Sequence, residues 1–419
     1  MRQFLPQITP HLRFGLGWPD GLRALRSRNF RLFFFGQLIS LIGVWMQSTA
    51  QQWLVYRLTG SQLKLGTVTF AGYLPVLLLS LFMGVIVDRF SSRKLLVWTQ
   101  SIFMIMAGIL ALITFLDVVT YEYILLLSFL LGIANAMDMP ARQAIYTDLV
   151  ERKDLLNAIA LNSSVFNGAR IIGPAIGGFI VAQLGEAVAF SINSLTYTAV
   201  IFGLLMMKIE TNPQAKSESK GMQDLLDGLK YLFREKSVLG LVVMVAALSV
   251  VGFSYLTLLP VFAQDVLQIG AEGFGGLLAA QGAGALTAAL SLAFRGDRLP
   301  KGKLLIYSRY LLAFAIFLLG FSRSVPLTVT ALILAGFALI SQLALTNTLL
   351  QLIVPDEFRG RVLSSYTWAL GGFFPIGSIL IGSMGDVFGA ANAVMISAGF
   401  SLILSIIGGI YFKEIRHLT

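Results

Sequence analysis

The chain contains no cysteine, which excludes disulfide frameworks, thiolate nucleophiles and sulfur-rich metal sites together. Histidine is almost as scarce: His11 and His417 lie near the two ends, leaving no imidazole in the apolar body of the chain to hold a metal or relay a proton. No cofactor motif is present. Charged residues make up 12% of the chain, against about 25% in an ordinary soluble domain. Acids are the scarcer sign, 21 against 31 Lys and Arg. A membrane-embedded enzyme needs clustered acids, a serine beside a base, or metal ligands inside the apolar segments, and the acids other than Asp138 fall at segment ends. The segment from Gly296 to Lys303 comes nearest to a nucleotide-binding loop, but its spacing is wrong and Leu304 replaces the required Ser or Thr.

What fills the chain instead is apolar: 56% of its 419 residues are hydrophobic, and the mean hydropathy is +0.80. A soluble fold of this size has no interior large enough to hide that surface. A membrane helix needs about 20 apolar residues to cross about 30 Å of hydrocarbon. By that measure spans are predicted at 32–56, 65–87, 95–116, 122–146, 158–183 and 187–207, then at 238–263, 273–294, 304–321, 327–353, 362–384 and 391–412. Twelve spans put both termini on one side.

Placing the termini in the cytoplasm leaves Arg57, Lys64 and Arg323 outside and Arg170 within the fifth span, with every other Lys and Arg assigned inside. Such a bias orients the chain. It also accounts for the net charge of +10 without nucleic acid, which is not expected as a partner. The arginines of segment 1–29, with Leu22, Leu25 and Phe30, read as an amphipathic helix at the inner membrane surface.

The polar run Thr211 to Lys220 marks residues 208–237 as a cytoplasmic linker, with a surface helix suggested by Leu225, Leu226 and Leu229. It separates an N-terminal six-helix lobe, 30–207, from a C-terminal one, 238–412, followed by a tail at 413–419. An internal repeat supports the division: Asp88, Arg89, Lys94, Leu95 and Leu96 recur at a constant offset as Asp297, Arg298, Lys303, Leu304 and Leu305. Duplicated halves of this kind build transporter sites at the membrane midplane.

Gly84, Asp88, Arg89, Arg93 and Lys94 form the pattern GxxxDRxxxRK between spans two and three, and here the chain resembles the major facilitator superfamily. The resemblance implies an all-α fold of twelve transmembrane helices in two pseudo-symmetric lobes. It also implies a gating role for this loop and its repeat at Asp297 and Arg298, with cations pairing across the lobe interface. The family's usual glycine is replaced by Ser91. Ala160, Ala169, Gly173, Pro174, Gly177 and Gly178 follow the spacing of the family's antiporter motif in span five, with alanines for its first two glycines. That motif implies substrate–proton exchange and a sealed lobe interface.

The stretches SRNFRLFFFGQLIS, LTGS, PARQAIYTDL, DLLNAIALNSSVFNGARIIGPAIGG and FRGRVLSSYTWALGGFFPIGS resemble the branch that contains the enterobactin exporter and related efflux permeases. This implies a secondary transporter in a bacterial inner membrane that exports a drug-like molecule or siderophore, works as a monomer, and exchanges its amphiphilic substrate for protons. A lipid flippase of the same fold is the alternative.

Polar residues within spans are costly in lipid and carry functional weight. On the helices that line the cavity in this superfamily stand Gln47, Gln51, Asn135, Tyr255, Gln342 and Asn347, with Tyr366 and Trp368 nearby, and these are the candidate substrate contacts. Asp138 and Arg170 are read as the acid and the base well inside spans. Arg142, four residues beyond Asp138, makes either a coupling site or a local ion pair. The aspartate many drug exporters carry in span one, and the arginine usual in span four, are missing here.

Overall fold

In the computed structural model, residues 20–87, 90–208, 230–295 and 300–417 are described. Asp88, Arg89, Asp297 and Arg298 lie outside them, as do Leu225, Leu226, Leu229 and the rest of 209–229.

Among the described residues, twelve helices are long and apolar enough to cross a membrane. They are α1 Arg28–Thr59, α2 Gln62–Val87, α3 Ser92–Phe115, α4 Tyr121–Leu149, α5 Leu155–Leu184 and α6 Glu186–Met206. Then come α7 Lys236–Val266, α8 Gly270–Arg295, α9 Lys301–Phe321, α10 Val325–Ile353, α11 Asp356–Phe388 and α12 Ala390–Tyr411. The ends follow local chemistry. Ser27 caps α1, its hydroxyl accepting from Phe30 N, and Gly60 closes the helix in the left-handed conformation at φ 59°.

α7 is not one regular helix. Its first α-helical part stops at Ala247, and the chain continues through π turns at Leu248–Gly252 and Phe262–Val266, with a 3-10 segment, Ser254–Leu258, and a single α turn, Leu259–Val261, between them. Pro260, which cannot donate a backbone bond, sits between the irregular stretches. Interruptions of this kind recur at functional sites.

Each lobe packs its own six helices: α1 lies against α5 and α6, α2 against α4, and α3 against α4 and α6. In the second lobe α8 and α9 both pack on α10, and α9 also on α12. Two crossed pairs, α2 with α11 and α5 with α8, join the lobes. Glycine makes these approaches close. A Cβ on Gly178 would stand 2.6 Å from the carbonyl oxygen of Ala271, and one on Gly382 2.5 Å from that of Gln62.

The apolar cores show where the lobes meet and where they part. On the side away from the chain termini, the distal side, one continuous core runs from Met46, Leu110 and Phe190 of the first lobe to Leu258, Phe274 and Leu332 of the second. On the terminal side there are two separate cores. One holds Phe33, Leu96, Ile145 and Leu204, the other Leu241, Leu305, Leu349 and Val362. The molecule is therefore closed distally and cleft between the lobes on the terminal side.

The described part of the N-terminal segment, from Asp20 on, differs from expectation. Residues Asp20–Arg26 form a 3-10 helix, and Leu25 and Phe30 are buried in the first lobe's own core rather than left for lipid. Arg23 pairs with Asp154 at 2.7 Å, and Asn157 Oδ1 accepts from Ala24 N at 2.8 Å, which fastens the segment across the α4–α5 turn.

Candidate functional site

The site grows out of α5. The stripe Gly178, Pro174, Ile171, Asn167, Ser164 and Ala160 repeats at three- to four-residue spacing on one face of the helix. Distally this face is buried against α8: Gly178 meets Ala271 and Gly275, and Arg170 and Ile171 meet Gly282. Toward the terminal side the cover ends, and Ala160, Ser163 and Ser164 are exposed. Arg170 stands at the turn where the change occurs. On the other crossed pair, Gly372 meets Leu77, and Tyr73 packs edge-to-face on Phe374 with centroids 5.4 Å apart. These contacts form the floor of the cleft.

On that floor the Arg170 guanidinium donates to Gln281 Oε1 of α8 at 3.0 Å and lies 5.8 Å from the Trp45 ring of α1. Tyr73 and Tyr255 supply the two phenols within electrostatic reach of Arg170. The Tyr255 hydroxyl lies beside Gln281, yet neither it nor Gln281 Nε2 has a hydrogen-bond partner of good geometry. Five helices thus converge on one cation.

Of the other residues singled out in the sequence, Asn135 remains exposed on α4. It shares a face with Ser128 and Gly132, buried further out, and with exposed Met139 and Gln143 further in. Trp368 is 50% exposed on α11. Gln51 Nε2 donates to Ser128 Oγ at 2.8 Å, tying α1 to α4. Asn347 Oδ1 accepts from Gln351 one turn along α10.

Three candidate cavity residues point elsewhere. Gln47 is 7% exposed and accepts from Asn193 Nδ2 in the α1–α6 seam, because α1 turns that side toward α6. Gln342 is buried in the second lobe and donates to the Ser308 carbonyl at 3.2 Å. Tyr366 is buried in that lobe's core, its hydroxyl donating to the Leu343 carbonyl.

Asp138 is also away from the cleft, 2% exposed between α3 and α4. Its carboxylate accepts from Thr99 Oγ1 at 2.6 Å, Gln100 Nε2 at 2.8 Å, and Arg142 Nε and Nη2 at 2.9 and 2.6 Å. Four donors, two of them cationic, satisfy a buried anion.

The motif residues divide similarly. Gly84 lies in α2 and Lys94 is exposed on α3. Arg93 does not reach across the lobes: it donates to the Leu204 and Leu205 carbonyls at 2.6 and 2.8 Å, capping the C-terminal end of α6 in its own lobe. Ala169 is fully buried and Ala160 exposed. Gly173 and Gly177 face α1, where a Cβ would stand 2.5 Å from Trp45 Cβ and 2.9 Å from the Met46 carbonyl oxygen. The lobe-interface face belongs to Gly178.

Several residues went unnoticed in the sequence. Gln281, Trp45 and Tyr73 surround Arg170. Arg309, counted in the sequence among the cytoplasmic charges, is 6% exposed inside α9. At the distal rim Asp386 of α11 accepts from Gln62 N at 2.6 Å, Leu63 N at 3.2 Å and Ser61 Oγ at 2.7 Å, capping the start of α2 across the lobe boundary. Tyr56 of α1 donates to Asp265 of α7 beside it. The glycines of segment 270–284 were the signal that α8 approaches another helix closely.

The model of one family, the transmembrane secretion effectors, matches residues 20–417. The staphyloferrin A transporter of Staphylococcus aureus is 30% identical over 87% of this chain and 92% of its own length. The multidrug efflux pump Tap of Mycolicibacterium fortuitum is 23% identical over 92% of this chain and 96% of its own. The enterobactin exporter EntS of Shigella flexneri is 26% identical over 95% of each. Among solved structures, the bacterial homologue of the lysosomal transporter Spinster overlays with a TM-score of 0.73 at 14% identity, covering 96% of this chain and 98% of that one.

Proposed function

The chain belongs to the transmembrane secretion effector family of the major facilitator superfamily; it is a transporter, not an enzyme, and from that premise we propose that it exports an amphiphilic small molecule, a siderophore or drug-like compound, by alternating access in exchange for protons. Its relatives export siderophores or drugs according to their names. The observation that carries the reading is the division of the core, shared by the lobes distally and separate on the terminal side. With the termini in the cytoplasm, as the Lys and Arg bias requires, the cleft faces the cytoplasm and the conformation is the one in which an exporter loads.

On this reading the distal contacts are the outer gate. Asp386 on the start of α2 and the Tyr56–Asp265 bond hold it shut, and the Gly178–Gly275 approach packs beneath them. The loop carrying Asp88 and Arg89, with its repeat at Asp297 and Arg298, is assigned to the inner gate on sequence grounds. Opening one gate and closing the other costs no contact within either lobe.

The test is transport by reconstituted protein. Proteoliposomes loaded with an amphiphilic dye or ferric-free siderophore are expected to accumulate or release it faster when a pH gradient is imposed, and to slow when the gradient is collapsed. Equal rates with and without the gradient would remove proton exchange. No protein-dependent movement across a panel of siderophores and drugs would remove the export reading itself.

A further inference from the structure

Arg170 is a cation near the middle of a thirty-residue membrane helix, and among the described residues no carboxylate stands within ion-pair distance of it. Its protein contacts are uncharged: the Gln281 carbonyl oxygen and the Trp45 ring, with the phenols of Tyr73 and Tyr255 within electrostatic reach. The contrast with Arg142 is direct, since that arginine makes two bonds to the Asp138 carboxylate. A guanidinium offers five N–H donors in a planar fork, and Gln281 engages one nitrogen. Arg170 is only part-buried, at the turn where α5 emerges from the lobe interface into the cleft. A charge in this position is costly, and no counter-charge among the described residues offsets it.

We propose that Arg170 is the head-group subsite of the transport cavity and takes an oxyanion, a carboxylate or chemically equivalent bidentate acid, borne by the substrate. The proposal rests on the export reading and narrows its substrate class from amphiphile to anionic amphiphile. The planar fork matches two oxygens at once, which a lysine ammonium does not. The apolar body of such a ligand has a surface ready beside the cation. Tyr73 is 44% exposed on the cleft side of the seam and stacks edge-on with Phe374, while Trp45 closes the other flank. Aromatic walls with one polar anchor are the ordinary composition of a small-molecule pocket.

The same anchor couples loading to the outer gate. The Arg170–Gln281 bond joins α5 to α8, one helix from each lobe, at the inner limit of their contact. An anionic oxygen is a stronger acceptor than an amide oxygen. A ligand that takes the guanidinium therefore releases Gln281 and removes the polar tie at the base of the distal seam.

Binding of two matched probes tests this: pyrenebutyrate, which carries one carboxylate on an aromatic body, and its uncharged primary amide. Each is titrated into the detergent-solubilised full chain, and into protein-free micelles for subtraction, with quenching of tryptophan fluorescence as the readout. The acid is expected to bind at least about tenfold more tightly than the amide to the wild type. Arg170→Gln should bring the two affinities within about twofold by weakening the acid alone, and Arg170→Lys should retain an intermediate preference. Equal affinities in the wild type, no binding of either probe, or an acid preference that survives Arg170→Gln would each overturn the proposal. The wild-type ratio needs no variant, so it stands even if a substitution unfolds the protein. Failure here would leave the export reading intact, because that reading is decided by movement of compounds across proteoliposomes and not by their charge.

Discussion

The two intramembrane charges read from the sequence have opposite settings, and the setting decides what each can do. Asp138 is enclosed by Thr99, Gln100 and Arg142, its hydrogen-bond partners all belonging to α3 and α4 of one lobe. Removing one partner of a buried ion pair costs about 3–5 kcal/mol, so Asp138→Asn is expected to lower the melting temperature by several degrees, measured in detergent by scanning fluorimetry, before it alters proton dependence. A variant that melts like the wild type but has lost pH-gradient-driven transport would instead make Asp138 the coupling group. The Asp138–Arg142 pair was legible because a spacing of four is a local property of a helix. Thr99 and Gln100 were not, since which face of α3 meets α4 is fixed by packing and not by either segment alone. The same limit explains Gln47 and Gln51. They share a face of α1, yet one bonds to α6 and the other to α4. Arg309 escaped notice for a simpler reason: the Lys and Arg bias counts it with the cytoplasmic charges, whereas it lies two turns into α9, which starts at Lys301.

At the scale of the helix, α5 shows how one motif serves two interfaces. Its glycines were readable as close-packing positions, but their assignment to partners was not, because a rotation of about 100° per residue sends neighbours Gly177 and Gly178 to different helices. A side chain at Gly177 would strike the Met46 backbone inside the first lobe, whereas one at Gly178 would strike Ala271 and Gly275 across the boundary. Overpacking commonly costs about 1–3 kcal/mol, and the two substitutions should spend it differently. Gly177→Val is expected to lower thermal stability. Gly178→Val is expected to leave the lobes folded but to open the distal seam, seen as faster maleimide labelling of a cysteine placed at Ala271, which is buried in that seam. Equal labelling in wild type and Gly178→Val would show that this glycine does not seal the gate. The broken course of α7 was not legible at all, since apolar composition alone reads as an uninterrupted span and only Gly252 and Pro260 hinted otherwise.

For the whole molecule, the twelve spans, the duplicated lobes and the family could be read from composition, spacing and motifs, because each is a sum over many residues. The closed distal side could not, because a sequence encodes both access states and the one adopted depends on small differences between interfaces. The absence of cysteine makes that balance open to direct measurement. Spin-label pairs can be placed at Leu156 with Phe294 on the terminal side, both 83% exposed on helices of different lobes, and at Leu184 with Glu272 on the distal side. Asp386→Ala removes the cap that α11 places on α2, a loss of about 0.5–2 kcal/mol, enough to shift a two-state population severalfold. Alternating access predicts that in proteoliposomes this substitution moves the two distance distributions in opposite directions, the distal pair lengthening as the terminal-side pair shortens. Distances that stay fixed, or that lengthen together, would contradict it.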